Sequence, residues 1–168
     1  MNFILLDVQG FSSSKCFVLK EFAYSYVNEK YVHTIMFEPP FDWNLLSYAD
    51  KKTNRYLTYY FHSLKWYDGL VPYRDIQSYL ESTLQPDNST LLVKGAEKQN
   101  WLQQLLPRAK IIDLTAYNCP ALKKLTKMSS IPCANHSSLE IKNCAKHNVI
   151  NLKNWCKINQ SKLAFFLS

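Results

Sequence analysis

The apolar positions of this chain fall first into short dense runs and later into helical spacing. NFILLDV, residues 2–8, is an apolar run that meets Asp7 and is followed by Gly10, which predicts a buried strand. KCFVLKEFAYSY (15–26) and KYVHTIMFE (30–38) concentrate aromatic and β-branched residues around a polar Asn28-Glu29 turn. They predict strands two and three of a meander. Pro39 and Pro40 cannot donate ladder hydrogen bonds and stop the sheet. Residues 45–63 mix their spacing and predict a helix. VPYRDIQSYLESTL (71–84) predicts a clearer one, with Ile76, Tyr79, Leu80 and Leu84 on one face.

STLLVKG (89–95) then predicts a fourth strand, AEKQNWLQQLL (96–106) a helix stopped by Pro107, and AKIIDL (109–114) a fifth strand. Pro120 opens a short helix, PALKKLTK. Residues 137–159 predict a long amphipathic helix carrying Leu139, Ile141, Cys144, Val149, Leu152, Trp155 and Cys156. The order implies an α/β fold in one domain over 1–168: a central mixed five-stranded sheet, three-stranded antiparallel meander first, flanked by helices.

Composition narrows the class. With 168 residues, 47% of them apolar, the chain can bury a real core and is not of disordered type. No run approaches eighteen apolar residues, so no membrane span is expected. MNFILLDVQG lacks the basic start of a signal peptide, which points to an intracellular setting, cytoplasmic or nuclear. Five cysteines then read as thiols or metal ligands rather than a disulfide framework, with Cys16, Cys119 and Cys156 most simply core residues. Three glycines exclude a glycine-rich phosphate cradle.

Charge is uneven. Residues 1–84 carry eight Lys/Arg against nine Asp/Glu, and residues 85–168 carry twelve against four. A basic half suits a phosphate-bearing partner. Lys94, Arg108, Lys110, Lys123, Lys124 and Lys127 are the candidate backbone-tracking residues, with nearby Tyr and Trp available to stack bases.

The sharpest chemistry lies in CANHSSLEIKNCAKHNV, residues 133–149. Cys133, His136 and Cys144 stand in C-x2-H-x7-C spacing at the head of the last predicted helix. Zinc takes four such N and S donors in a tetrahedron, so the three residues can converge on a structural Zn²⁺. The competing readings are buried thiols with surface histidines, or a Cys-His catalytic pair without a recognisable orienting group.

The element order, with Asp7 at the end of strand one, resembles the RNase H-like fold of DEDDh exonucleases, whose carboxylates hold two Mg²⁺ ions. On that resemblance Asp7 is the relict catalytic position. Gln9, Lys98 and Asn148 stand where further carboxylates belong, and Asp113 in IIDL falls at a position that is structural in the family. Such a set implies no two-metal hydrolysis. The cysteine-histidine stretch is similar to the MAEL domain of Maelstrom proteins, which replaces the DEDDh residues by a zinc set with one remote Glu/His ligand. That resemblance implies His62, in YYFHSLKWYDG, as the fourth ligand, while local spacing also permits His147. DVQGF, KGAEKQNWL and the zinc stretch are similar, too, to uncharacterised arthropod proteins, some related to mobile elements.

Three functions follow as expectations. The first is a zinc-stabilised nucleic-acid-binding domain, its partner single-stranded RNA. The second is a nuclease, with either weak, metal-independent RNA cleavage, as the Maelstrom resemblance implies, or Mg²⁺ hydrolysis through other acids. The third is a protein-interaction module in a small-RNA, transposon or virus-related pathway.

Overall fold

Five strands form the centre of the molecule: β1 (Asn2–Ser13), β2 (Cys16–Tyr26), β3 (His33–Met36), β4 (Ser89–Val93) and β5 (Lys110–Asp113). They lie in the order β3-β2-β1-β4-β5 in a computed structural model that describes residues 2–129, 133–136 and 143–163. β1, β2 and β3 pair antiparallel, whereas β4 runs parallel to β1 and β5 parallel to β4, so the sheet is mixed. The helices are α1 (Tyr48–Tyr56), α2 (Ile76–Leu84), α3 (Ala96–Leu105) and α4 (Ala145–Ile158).

The alternation of a strand divides β1 between two cores. Ile4, Leu6 and Val8 join Leu80 and Leu84 of α2 and Leu102 of α3. Leu5, on the opposite face, joins Ala145, Val149 and Leu152 of α4. Both faces are covered, which is why NFILLDV reads as a continuous apolar run rather than an alternating one. A third cluster, Phe11, Val18, Leu46, Leu64 and Trp66, lies beyond the bulge described next.

That bulge shifts the frame of β2. Gln9 pairs with Glu21 but Gly10 pairs with Leu19, leaving Lys20 as the extra residue. Leu19 therefore packs with the α2 and α3 core, while Ala23 packs with α4 on the face that Glu21 shares. Gly10 is required by close approach, since a Cβ there would stand 2.1 Å from the Val18 carbonyl. Lys20 is buried and donates to the carbonyls of Phe37 (2.9 Å) and Asp68. Burial lowers its pKa to about 8, against the opposing pull of Asp68 and Glu38.

Several elements differ from the sequence expectation. β1 continues through Gly10 to Ser13 because the bulge preserves its pairing with β2, and β3 shortens to four residues. The lysine-rich stretch after Pro120 makes only a three-residue 3-10 turn, Leu122–Lys124. The last helix starts at Ala145 rather than 137, because Cys144 has extended backbone and serves as its N-cap; Leu139 and Ile141 lie outside the described residues. Within the predicted helix over 45–63, α1 gives way to a wide π turn, Leu57–Phe61, closed by His62 N–H donating to the Leu57 carbonyl at 2.9 Å. Among the described residues no helix is long and apolar enough to cross a membrane.

Candidate metal centre

Four side chains meet where β2 faces the head of α4. Glu21, Cys133, His136 and Cys144 bring one donor atom each within 4.8 Å of one another, all four residues largely or wholly withdrawn from solvent. Cys133 to His136 is a tight turn, with His136 N–H donating to the Cys133 carbonyl at 3.2 Å, so both side chains of C-x2-H point the same way. Cys144 enters as the N-cap of α4, and the Ala145 N–H donates to Glu21 Oε2 at 2.9 Å. Glu21 thus satisfies an orphan donor at the positive end of α4 with one oxygen and turns the other toward the thiols.

The donor set fits zinc. Two sulphurs, one imidazole nitrogen and one carboxylate oxygen are the ligand types Zn²⁺ takes, and bonds of about 2.0–2.3 Å imply donor–donor edges of roughly 3.3–3.8 Å. His136 Nε2 lies 3.1 Å and Cys133 Sγ 3.8 Å from Glu21 Oε1, close to those edges. The surrounding shell fixes orientation. His136 Nδ1 donates to the carbonyl of His62, which leaves Nε2 as the nitrogen facing the cluster. Asn135 Nδ2 donates to Glu21 Oε1 at 3.1 Å.

The electrostatics of the cluster point the same way. Burial works against a charge on His136, but hydrogen bonds to Cys133, Glu21 and the His62 carbonyl outweigh it and push its pKa up to about 10. Burial likewise opposes ionisation of Glu21, and hydrogen bonds from His136, Ala145 and Asn135 hold it below the ordinary carboxylate range. The two thiols share one proton. The hydrogen bond from Cys144 lowers Cys133 to about 5, while Cys144 itself is raised by that bond and by burial.

His62, the fourth ligand implied by resemblance, is not among the four gathered donors, and Glu21 stands in that place. The reason is that both His62 ring nitrogens are engaged: Nε2–H donates to the Gly10 carbonyl at 2.9 Å, and Nδ1 accepts from Leu64 N–H at 3.1 Å. No lone pair is left for a metal, and burial holds the ring neutral, its pKa lowered to about 4. His62 still touches the centre through its carbonyl. His147 is not one of the four either; its backbone N–H bonds the Cys144 sulphur. Glu21 was missed because it lies inside a strand run. The signal was present as Lys20-Glu21, two adjacent charges in an otherwise apolar central strand, which must find partners when buried.

The relict position expected at Asp7 is a second polar site on the same face. Asp7 is fully buried, and the three residues named with it in the sequence gather beside it. Lys98, in the first turn of α3, ion-pairs with Asp7 Oδ1. Asn148 Nδ2 donates to Oδ2 at 2.8 Å, and Gln9 Nε2 lies 3.4 Å from the same oxygen. An ammonium therefore stands against the carboxylate where a divalent ion would need to sit. Asp113 is structural, its Oδ1 accepting from Gly95 N–H at 2.9 Å at the start of α3 and from Thr115 N–H at 2.9 Å.

The candidate basic residues divide. Lys94 follows β4 and donates to Thr115 Oγ1 at 2.7 Å. Arg108 and Lys110 are exposed at the opposite, N-terminal end of β5, about four residues or 13 Å along the sheet. Lys123, Lys124 and Lys127 are exposed around the 3-10 turn. Leu122 of that turn lines a groove of about 450 Å³ shared with Lys15, Lys98, Phe61 and Trp101. Of the remaining cysteines, Cys119 and Cys156 are buried as expected, but Cys16 is exposed because it opens β2 at the hairpin.

Comparisons with protein-family models, curated proteins and solved structures find no match to this chain.

Proposed function

We propose that this chain is a zinc-stabilised domain that binds single-stranded nucleic acid, RNA foremost, on an RNase H-like sheet whose hydrolytic centre has been replaced. The observation that carries the reading is the pair of polar sites on one face of α4. Glu21, Cys133, His136 and Cys144 form a set suited to zinc, while Asp7 is held by Lys98. Three features support the RNase H-like and Maelstrom-like resemblance: the meander-first mixed sheet, Asp7 on its first strand, and a glutamate as the remote member of the donor set. At Asp7 two-metal chemistry would require several carboxylates converging on one space; Lys98, Asn148 and Gln9 fill that space with donors. The excess of cations in the second half supplies the attraction for a phosphate backbone.

Two measurements test the reading. Elemental analysis of protein purified without chelator is expected to find one zinc per chain. A labelled single strand is expected to bind with an affinity that falls roughly ten-fold or more between about 50 and 200 mM salt. Lys123→Glu with Lys124→Glu is expected to weaken binding for all sequences alike. Absence of zinc, or binding indifferent to salt and to the double reversal, overturns the corresponding half. Mg²⁺-dependent trimming that is lost in Asp7→Ala would overturn the non-catalytic assignment.

A further inference from the structure

α1 is turned inside out. Its buried residues are Asp50 and Asn54, whereas Tyr48 is 82% exposed and Tyr56 58%; Tyr59 (75%) and Tyr60 (64%) continue the aromatic stripe through the π turn. The polar side is buried because it holds the β1–β2 hairpin. Asn54 Oδ1 accepts from Ser12 N–H at 2.8 Å and its Nδ2 donates to the Ser12 carbonyl at 2.9 Å, while Asp50 accepts from Ser14 N–H at 3.1 Å and Ser47 Oγ at 2.7 Å. With its anchoring done by polar groups, the helix leaves its aromatic side to solvent. Tyr56 and Tyr60 lie 5.6 Å apart, ring to ring, and Tyr59 and Tyr60 6.5 Å.

Charge on this stripe has one sign. Lys52 and Arg55 are exposed between the tyrosines, and Lys51 lies at the edge, donating to the Asn44 carbonyl. The only acid from Tyr48 to Phe61 is Asp50, which is buried. An aromatic stretch interleaved with cations, with no accessible carboxylate of its own and with Asp42 and Glu97 only at its edges, is complementary to bases joined by phosphates. The stripe also ends at the metal centre. Asn143 Nδ2 donates to the Phe61 carbonyl at 3.2 Å, and the next carbonyl, that of His62, receives His136 Nδ1.

We infer that Tyr56, Tyr59 and Tyr60, with Lys52 and Arg55, form a base-stacking face for single-stranded nucleic acid, its C-terminal end positioned by the metal centre. The inference rests on the nucleic-acid reading above and assigns it a second surface, apart from Lys123 and Lys124.

The test is fluorescence anisotropy with a labelled twelve-nucleotide uridine strand, its thymidine counterpart and a blunt duplex. Tyr59→Ala with Tyr60→Ala is expected to weaken both single strands about ten-fold or more without changing the salt slope. Tyr59→Phe with Tyr60→Phe is expected to stay within about two-fold of the parent, because stacking needs the ring and not the hydroxyl. Lys52→Ala with Arg55→Ala is expected to reduce the salt slope. All these residues are on the surface, so the variants should keep the parent melting temperature. If the alanine pair binds like the parent while Lys123→Glu with Lys124→Glu does not, the stacking face is wrong and the nucleic-acid reading stands. If the unaltered protein binds none of the three probes, both fall, and the stripe becomes a protein-contact face.

Discussion

Two buried carboxylates face α4 from neighbouring strands, and their charges are met by opposite means. Asp7 on β1 is answered by Lys98, a cation covalently part of the chain, and by the amide of Asn148. Glu21 on β2 is answered by His136 and two thiols, whose positive charge is an exchangeable proton. Their partners on α4, Asn148 and the N-cap Cys144, are one helical turn apart. Burying a carboxylate alone is prohibitive, so each needs a counter-charge. Only the second can trade its counter-charge for a metal. Hydrogen bonding holds Glu21 low and His136 high, so a divalent ion would take the place of protons there. The Asp7 site has no comparable exchange.

Breaking the metal side should have the largest effect. Cys144→Ser, or chelation of the unaltered protein, is expected to cost about 4 kcal/mol or more, roughly 10 °C in Tm by calorimetry. A chelated protein melting at the same temperature as the loaded one would remove the metal from the stability of the fold.

Lys98→Met strikes the other side. It strands Asp7 as an unpaired buried charge and is expected to cost about 3 kcal/mol in denaturant unfolding. Adding Asp7→Asn should recover most of that loss, because the pair and not the space carries the energy. Failure of the second substitution to rescue the first would mean that Lys98 acts by packing alone.

Proton exchange sharpens the contrast further. His136, held at about 10, and the proton shared by the two thiols must both be displaced on metal binding. Zinc affinity, measured by competition with a chromophoric chelator, is therefore expected to fall about ten-fold or more for each pH unit from 8 to 6. The sign is fixed: acid refills the cluster with protons. An affinity flat over that range would exclude His136 and Cys144 as ligands.

The smallest change separates the two candidate fourth ligands. His62→Ala is expected to lower stability by removing buried ring contacts and to keep the zinc content of the parent, because His62 addresses His136 through its backbone carbonyl. Glu21→Gln, which keeps an acceptor for the Ala145 N–H, is expected to weaken zinc binding instead.

How much of this was legible in the sequence varies with range. Short runs of apolar, aromatic and β-branched residues and the C-x2-H-x7-C spacing are local patterns, so five strands and three of the four gathered donors could be read directly. Gln9, Lys98 and Asn148 could be named together only through resemblance, being up to 139 positions apart, and they meet around Asp7. Glu21 was hidden because its facing depends on the Lys20 bulge, a register event that no periodicity reports. The inverted character of α1 was hidden for a related reason. Residues 45–63 mix their spacing and mark no buried face, and only the hydrogen bonds of Asn54 to Ser12 and of Asp50 to Ser14 decide which side turns inward.

Glu21 lies 112 positions before Cys133 and 124 before Ala145, the residue after Cys144. An ion shared between them would close most of the chain into a single ring. By the loop-closure reckoning used for covalent cross-links, a ring of about 100 residues removes on the order of 4–5 kcal/mol of entropy from the unfolded chain. Unlike a disulfide, such a clasp needs no oxidising compartment and opens on chelation or acidification. A chain with five reduced thiols would then gain the stiffness of a cross-linked one, on terms set by the supply of free metal rather than by redox potential.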